Sequence, residues 1–207
     1  MIACGALAGA VRRALRPTAG APGDTSIPRT AEVHSLSALL HNRPDDIAPA
    51  VEALALRLLA EGRRVAVAYA DCGTYGRLDE VCRRLGLERL PGLHCYDLLA
   101  GADTVEELFE ETPGTYLLTD FMVQGFERLV VESLGLDRHP ELLGDYFCNY
   151  ERVVWITESA APPLLERAEA AASLLGLPLE VRRLDGRHLH RALVQLVSTL
   201  RPRRSVA

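Results

Sequence analysis

Cys4, Cys72 and Cys95 each stand where an apolar stretch gives out: "MIAC", "RRVAVAYADC" and "ERLPGLHC". If those stretches are parallel strands, their carboxyl ends point the same way, and three sulfurs far apart in sequence can meet on one rim. Thiolates are soft donors that suit zinc or an iron–sulfur cluster. Three of them leave one coordination position open, as a catalytic metal requires. His41, in a loop leading into a helix, and His94, directly before Cys95, are candidate further ligands or acid–base groups. The metal set read from these residues is Cys4, Cys72, Cys95 and His41. No CxxC pair is present. Taken singly, each cysteine reads better as a small buried hydrophobe; only the set points to a site.

The turn "DCGTYG" suggests a second kind of holding. Gly73 and Gly76 would let backbone N–H groups face an anionic ligand at a strand-to-helix turn, which makes them candidate cofactor-binding residues. The plainer reading is that they only allow a tight reversal. Asp71 beside Cys72 would raise that thiol's pKa. Cys82 shares a helical stripe with Leu78, Val81 and Leu85 and reads as core filler, and Cys148 sits among aromatics as a structural residue. His188 and His190 lie on different faces of a helix start and read as solvated, while His139 reads as a loop residue. Thr119 or Asp120 would cap a following helix. Glu158 ends an apolar run as Cys72 does and is a further rim candidate.

Positioning these residues requires strands and helices in alternation. The sequence predicts a strand to Cys4 followed by a helix, a short strand in "AEVHSL", and a long helix capped by Asp45 and stopped by Gly62. A doubly buried strand in "RRVAVAYAD" and a helix closed by Gly86 follow, with a loop expected over residues 17–30. After a helix-rich middle come a buried strand "ERVVWITES", an alanine-rich helix after Pro162 and Pro163, a strand "PLEVRRL" and a last helix. In "ETPGTYLLTDF" the reading is a turn and an extended or helical start. The expectation is an α/β fold with a mostly parallel sheet covered by helices on both faces, Rossmann-like. It is read as one domain over residues 1–207, with two lobes, 1–100 and 101–207 around a cleft, as the open alternative.

Of the 207 residues, 48% are hydrophobic and 25% charged, ordinary for a globular protein. The net charge of −5 comes without a single lysine and argues against a nucleic-acid partner. The start "MIACGALAGAVRRAL" lacks a basic residue before its apolar stretch, so neither signal peptide nor membrane span is expected and the chain reads as cytoplasmic. Five cysteines in that compartment are thiols, ligands or core residues rather than disulfides. The expected partner is a small-molecule ligand, with a homo-oligomer left open.

Taken together, "IACGAL" (2–7), "LLHNRPDDI" (39–47), "YADCGTYG" (69–76), "LPGLHCYDLLAG" (90–101), "PGTYLLTDF" (113–121) and "YERVVWITES" (150–159) resemble domain of unknown function family 1638. The resemblance implies an α/β fold and places Cys4, Cys72, Cys95 and His41 at pattern positions. It departs at His94, where the family often has Asp. The function expected is a metal-site protein that binds zinc or an iron–sulfur cluster and acts on or binds a small metabolite. The alternatives are a metal-independent enzyme with Cys72 as nucleophile and a non-catalytic small-ligand binding protein.

Overall fold

A computed structural model of the chain describes residues 1–15 and 31–200. The expected loop over 17–30 lies outside these residues. The strands form two three-stranded sheets, each in its own compact unit: Met1–Leu99 together with the chain from Gly186, and Ala100–Asp185. All pairings within both sheets are parallel, and helices alternate with the strands, so the fold is α/β.

In the first unit the order is β2-β1-β3, with β1 at Ile2–Cys4, β2 at His34–Leu36 and β3 at Val67–Ala68. Every residue of β1 is fully buried, which is why so short an apolar stretch can be a central strand. The register sets Cys4 opposite Leu36, and Ala3 opposite Ala68. The long strand expected over "RRVAVAYAD" is regular only at β3, although residues 65–70 are all buried. Residues 88–93 run beside it: Val67 N–H donates to Glu88 O at 2.9 Å, Leu90 N–H to Val67 O at 3.0 Å and Cys72 N–H to Leu93 O at 2.8 Å. Around this sheet lie α1 (Gly5–Ala14), α2 (Ile47–Ala60), α3 (Arg77–Leu85) and α4 (Cys95–Ala100). The final helix, Arg187–Ser198, belongs to this unit, and Leu189 and Leu193 enter its core beside Leu7, Val11 and Val51. Burying each such side chain contributes about 1.5–3 kcal/mol.

Two local expectations change here. Asp45 is not a helix cap: short 3₁₀ turns at Ala38–Asn42 and Pro44–Asp46 precede α2, and Asp45 accepts from Arg77 Nη1 at 2.6 Å. A long-range ion pair has taken the carboxylate that local spacing assigned to a cap. Cys95 does not end a strand but begins α4, because Asp97 turns the chain there by accepting from Leu93 N–H at 2.8 Å and His94 N–H at 2.9 Å.

In the second unit, α5 (Ala102–Glu111) leads to the sheet β4-β5-β6, with strands at Thr115–Thr119, Arg152–Thr157 and Leu179–Arg183. The segment "TYLLT" is thus a strand. Thr119 ends it and caps α6 (Asp120–Gln124), its hydroxyl accepting from Met122 N–H at 3.3 Å. A π-helical turn at Glu127–Val131 and α7 (Leu143–Phe147) precede β5, whose residues are all buried. α8 (Pro162–Leu175) lays Ala168, Ala171 and Ala172 in the core with Trp155, small side chains that admit close packing. No helix among the described residues is long and apolar enough to cross a membrane.

Candidate functional site

The carboxyl end of the first sheet brings the expected thiols together. Cys4 leaves β1 as the residue before α1 and is fully buried. Gly5 lets the helix start there: a Cβ on it would stand 2.6 Å from Leu36 O and 2.8 Å from Ala38 N, so only glycine fits. That close approach seats the 3₁₀ turn Ala38–Asn42 against Cys4, and His41 Nδ1 comes to 3.8 Å from Cys4 Sγ.

Cys72 arrives from the neighbouring strand through a strained turn. Cys72 and Tyr75 both have φ of +51°, the left-handed region that L residues rarely adopt, with Gly73 and Gly76 at +80° and +83° beside them. Asp71 holds this turn. Its carboxylate accepts from Thr74 Oγ1 at 2.7 Å, Gly76 N–H at 3.0 Å and Tyr75 N–H at 3.1 Å. The Gly76 amide that was expected to face an anion is therefore answered from inside the chain. Gly73 packs instead toward Pro44, whose Cβ a Cβ at position 73 would meet at 3.4 Å. Burial acts to raise the Asp71 carboxyl, but these hydrogen bonds outweigh it and hold the group below its ordinary range.

Cys95, at the start of α4, completes the set. The Cys72–Leu93 hydrogen bond ties its loop to the Cys72 turn. Burial raises all three thiols, and neighbouring sulfurs raise Cys72 and Cys95 further. Cys72 is pushed up to about 12 by burial, then by Cys4 and by Asp71. Cys95 is raised further by burial, then by Cys72 and Cys4. Cys4 is raised by burial against the opposing pull of the Ala6 and Leu7 backbone at the start of α1. Burial lowers His41, and the nearby His94 lowers it further. The cluster is thus a set of neutral thiols and a neutral imidazole at neutral pH.

One member was missed in the sequence. Tyr69 is wholly buried, and its hydroxyl has no hydrogen-bond partner among the described residues. It stands beside Cys4 closely enough to favour that sulfur's ionised form, without the geometry of a made hydrogen bond. Burial, then Cys4 and Cys72, push the phenol far above its ordinary range. The signal was available: a tyrosine within an otherwise aliphatic buried run carries an O–H that needs an acceptor.

The structure places the other candidates as follows. Cys82 is buried on α3 as core, pushed up to about 11 by burial. Cys148 is exposed, its Sγ 3.6 Å from Asp145 O. His139 pairs with Glu141 at 3.2 Å on the surface. His190 is half-buried, its Nδ1 3.0 Å from Ala14 O. In the second unit Asp120 receives Trp155 Nε1–H at 3.1 Å. A depression of about 470 Å³ lies along β2 and α2, lined by His34, Ser35, Leu36, Ala50, Leu54 and Arg57 among others. It contains none of the thiols, and the chemistry of the cysteine cluster outweighs its size as a guide to function.

Among the described residues, no three His, Cys, Asp or Glu side chains stand in a formed metal-binding arrangement. His41 Nδ1 stands beside Cys4 Sγ, but the described residues form no coordination shell. No curated protein and no solved structure matches the chain. Residues 35–193 match the family described as "Protein of unknown function (DUF1638)", a span that takes in His41, Cys72 and Cys95 and begins after Cys4. That span is well over half of the 207 residues, and the chain belongs to this family.

Proposed function

We propose that the first unit binds one thiophilic metal ion through Cys4, Cys72 and Cys95, with His41 as the fourth donor. The observation that carries this reading is the Cys4–His41 pair at the end of β1, with His41 Nδ1 3.8 Å from Cys4 Sγ. Two ligands of one tetrahedral zinc, with Zn–S of about 2.3 Å and Zn–N of about 2.0–2.1 Å, stand about 3.6 Å apart. The pair is thus already near the edge length of such a shell. The donor set is soft, as zinc or an iron–sulfur cluster requires, and the adjacent sulfur and nitrogen favour the single ion. Closure would come with the ion: ligation drives protons from the raised thiols and draws the sulfurs inward. A small metabolite with a free lone pair would reach the ion by displacing His41, and a bound zinc would supply Lewis-acid activation of that ligand.

Protein purified anaerobically without a histidine tag is expected to carry about one zinc per chain. Elemental analysis measures this. A broad absorption near roughly 400 nm would identify an iron–sulfur cluster on the same thiols instead. Cys4→Ser and Cys95→Ser should each lower occupancy about tenfold or more, and full occupancy in both would end the proposal.

A second reading rests on the same pair. Cys4 stands at the N-terminus of α1 with His41 beside it, the arrangement of a cysteine nucleophile and its base. Cys72 is less suited to that role, since α3 starts only at Arg77 and its thiol is pushed up to about 12. Iodoacetamide labelling of metal-free protein at neutral pH separates the readings. A metal site predicts that exposed Cys148 reacts first and Cys4 last, whereas a nucleophile predicts that Cys4 reacts first.

A further inference from the structure

The second sheet ends on an open edge. β6 is its last strand and pairs with β5 on one side only. Two hydrogen bonds show which of its main-chain groups are taken: Val153 N–H donates to Pro178 O at 2.9 Å, and Leu184 N–H to Thr157 O at 2.7 Å. Even-numbered residues therefore turn their N–H and C=O groups toward β5, and Leu179, Val181 and Arg183 turn theirs outward. Among the described residues no main-chain group meets those outward groups. Val181, at the middle of the strand, is 36% exposed. A regular strand with its outer groups open accepts a further strand. The side chains select which one. Charges on an edge ordinarily keep other strands away, but Glu180 and Arg182 lie on one face with opposite signs. Both reach solvent even while Glu180 pairs with Arg152 and Arg182 with Glu111.

We infer that β6 is a homodimer edge: two copies of the chain pair through it, antiparallel, about a two-fold axis at Val181, and join their three-stranded sheets into one. In that register Val181 faces itself and Leu179 faces Arg183, each a pair that exchanges both of its hydrogen bonds. Glu180 faces the second copy's Arg182, at the closer spacing of the non-hydrogen-bonded sites. The alternatives fail on charge or on geometry. Moving the axis to Glu180 or to Arg182 sets like charge on like. A slip of one residue sets outward groups against inward ones and forms no ladder. The contact is isologous, so it closes on itself and stops at two copies. It is also small, which places it at the weak, exchanging end of protein interfaces. It stands apart from the metal reading and needs none of the thiols.

Sedimentation velocity of the full chain, over a concentration series up to its solubility limit, should show a reversible monomer–dimer equilibrium. Val181→Pro removes an outward N–H and leaves the hydrogen bonds to β5 in place, as proline on an edge strand does. It should weaken the dimer about tenfold or more. Glu180→Arg and Arg182→Glu should each be monomeric alone, because each sets like charges across the axis. Their equimolar mixture should recover the dimer, since arginine then faces glutamate at both sites. A wild type that stays monomeric throughout, or a dimer that Val181→Pro leaves at full strength, overturns the inference. A mixture of folded charge variants that stays monomeric overturns the register. Where a variant does not fold, amide exchange of the wild type decides. Protection at Leu179, Val181 and Arg183 that rises with protein concentration supports the edge, and protection that stays constant overturns it.

Discussion

At the carboxyl end of the first sheet stand Cys4, the orphaned phenol of Tyr69 and the turn carrying Cys72. At the carboxyl end of the second stand Thr119, Asp120 and Thr157. The backbone plan is shared, since each sheet has three parallel strands with a fully buried one at the centre. The polar groups differ in how they are answered. In the second unit Thr119 caps α6, Asp120 accepts from Trp155, and Thr157 Oγ1 accepts from Ser159 N–H at 3.0 Å. In the first, the Tyr69 hydroxyl has no hydrogen-bond partner among the described residues, and Cys72 and Tyr75, the non-glycine residues among them with left-handed backbone, fall in one turn. Satisfied polar groups report stability. Strain and an unmet donor in one place report a site that folding alone does not explain.

The largest effect that would break this contrast lies in the second unit. Buried Arg152 donates Nε–H to Thr115 Oγ1 at 2.8 Å and Nη2–H to Leu108 O at 2.7 Å, and pairs with Glu180 at 3.1 Å and Glu111 at 3.3 Å. Arg182 bridges the same two carboxylates from β6. Arg152→Ala is expected to cost about 3 kcal/mol of stability, because it removes two buried hydrogen bonds, to Thr115 Oγ1 and Leu108 O, and the hub of a charge network. Denaturant unfolding measures that loss. Metal content of the folded fraction should not change. If Arg152→Ala emptied the thiol site while the protein stayed folded, the division of labour between the units would be wrong.

The next effect sharpens the contrast from the other side. Asp71 is the brace of the Cys72 turn, and Asp71→Ala should cost about 2 kcal/mol and loosen metal binding as well, because Cys72 loses its fixed place. The pH dependence has a definite sign. The carboxyl is held below its ordinary range when folded, so its contribution is complete above the ordinary carboxylate pKa and is lost as pH falls through and below that range. Amide hydrogen exchange at Tyr75 and Gly76, whose N–H groups Asp71 accepts, should show protection at pH 6 that holds through the ordinary carboxylate range and fades only below it. Protection that persists at the lower pH would mean the turn holds itself without the carboxylate.

How much of this was readable beforehand depends on the range of each interaction. Cys4 and Cys72 were legible because an apolar run ends at each, a local pattern with a direct structural meaning. The place of Cys95 was legible but not its element, since α4 starts there by virtue of Asp97 reaching back to Leu93 and His94. Asp45 was misread as a cap because its partner, Arg77, lies 32 residues away. The strand at Thr115–Thr119 was hidden by its own last residue, since Thr119 ends a strand and caps a helix at once. Tyr69 was hidden by its neighbours, for in "VAVAYA" a tyrosine reads as one more apolar side chain until burial shows its hydroxyl stranded.

The smallest effect isolates strain from function. Tyr75 shares the left-handed backbone of Cys72 but is 89% exposed. Asparagine tolerates that conformation better than an aromatic residue does. Tyr75→Asn should therefore stabilise the protein by about 0.5 kcal/mol, a rise in Tm of about 1–2 °C for a chain of this length, with metal occupancy unchanged. Calorimetry with parallel elemental analysis reads both. A rise in Tm would show that the turn carries strain at Tyr75 for no structural benefit, and that Cys72 is held in the same conformation to point its sulfur at the cluster. A fall would mean that the exposed ring supports the turn, and the unusual backbone at Cys72 would then need no function to account for it.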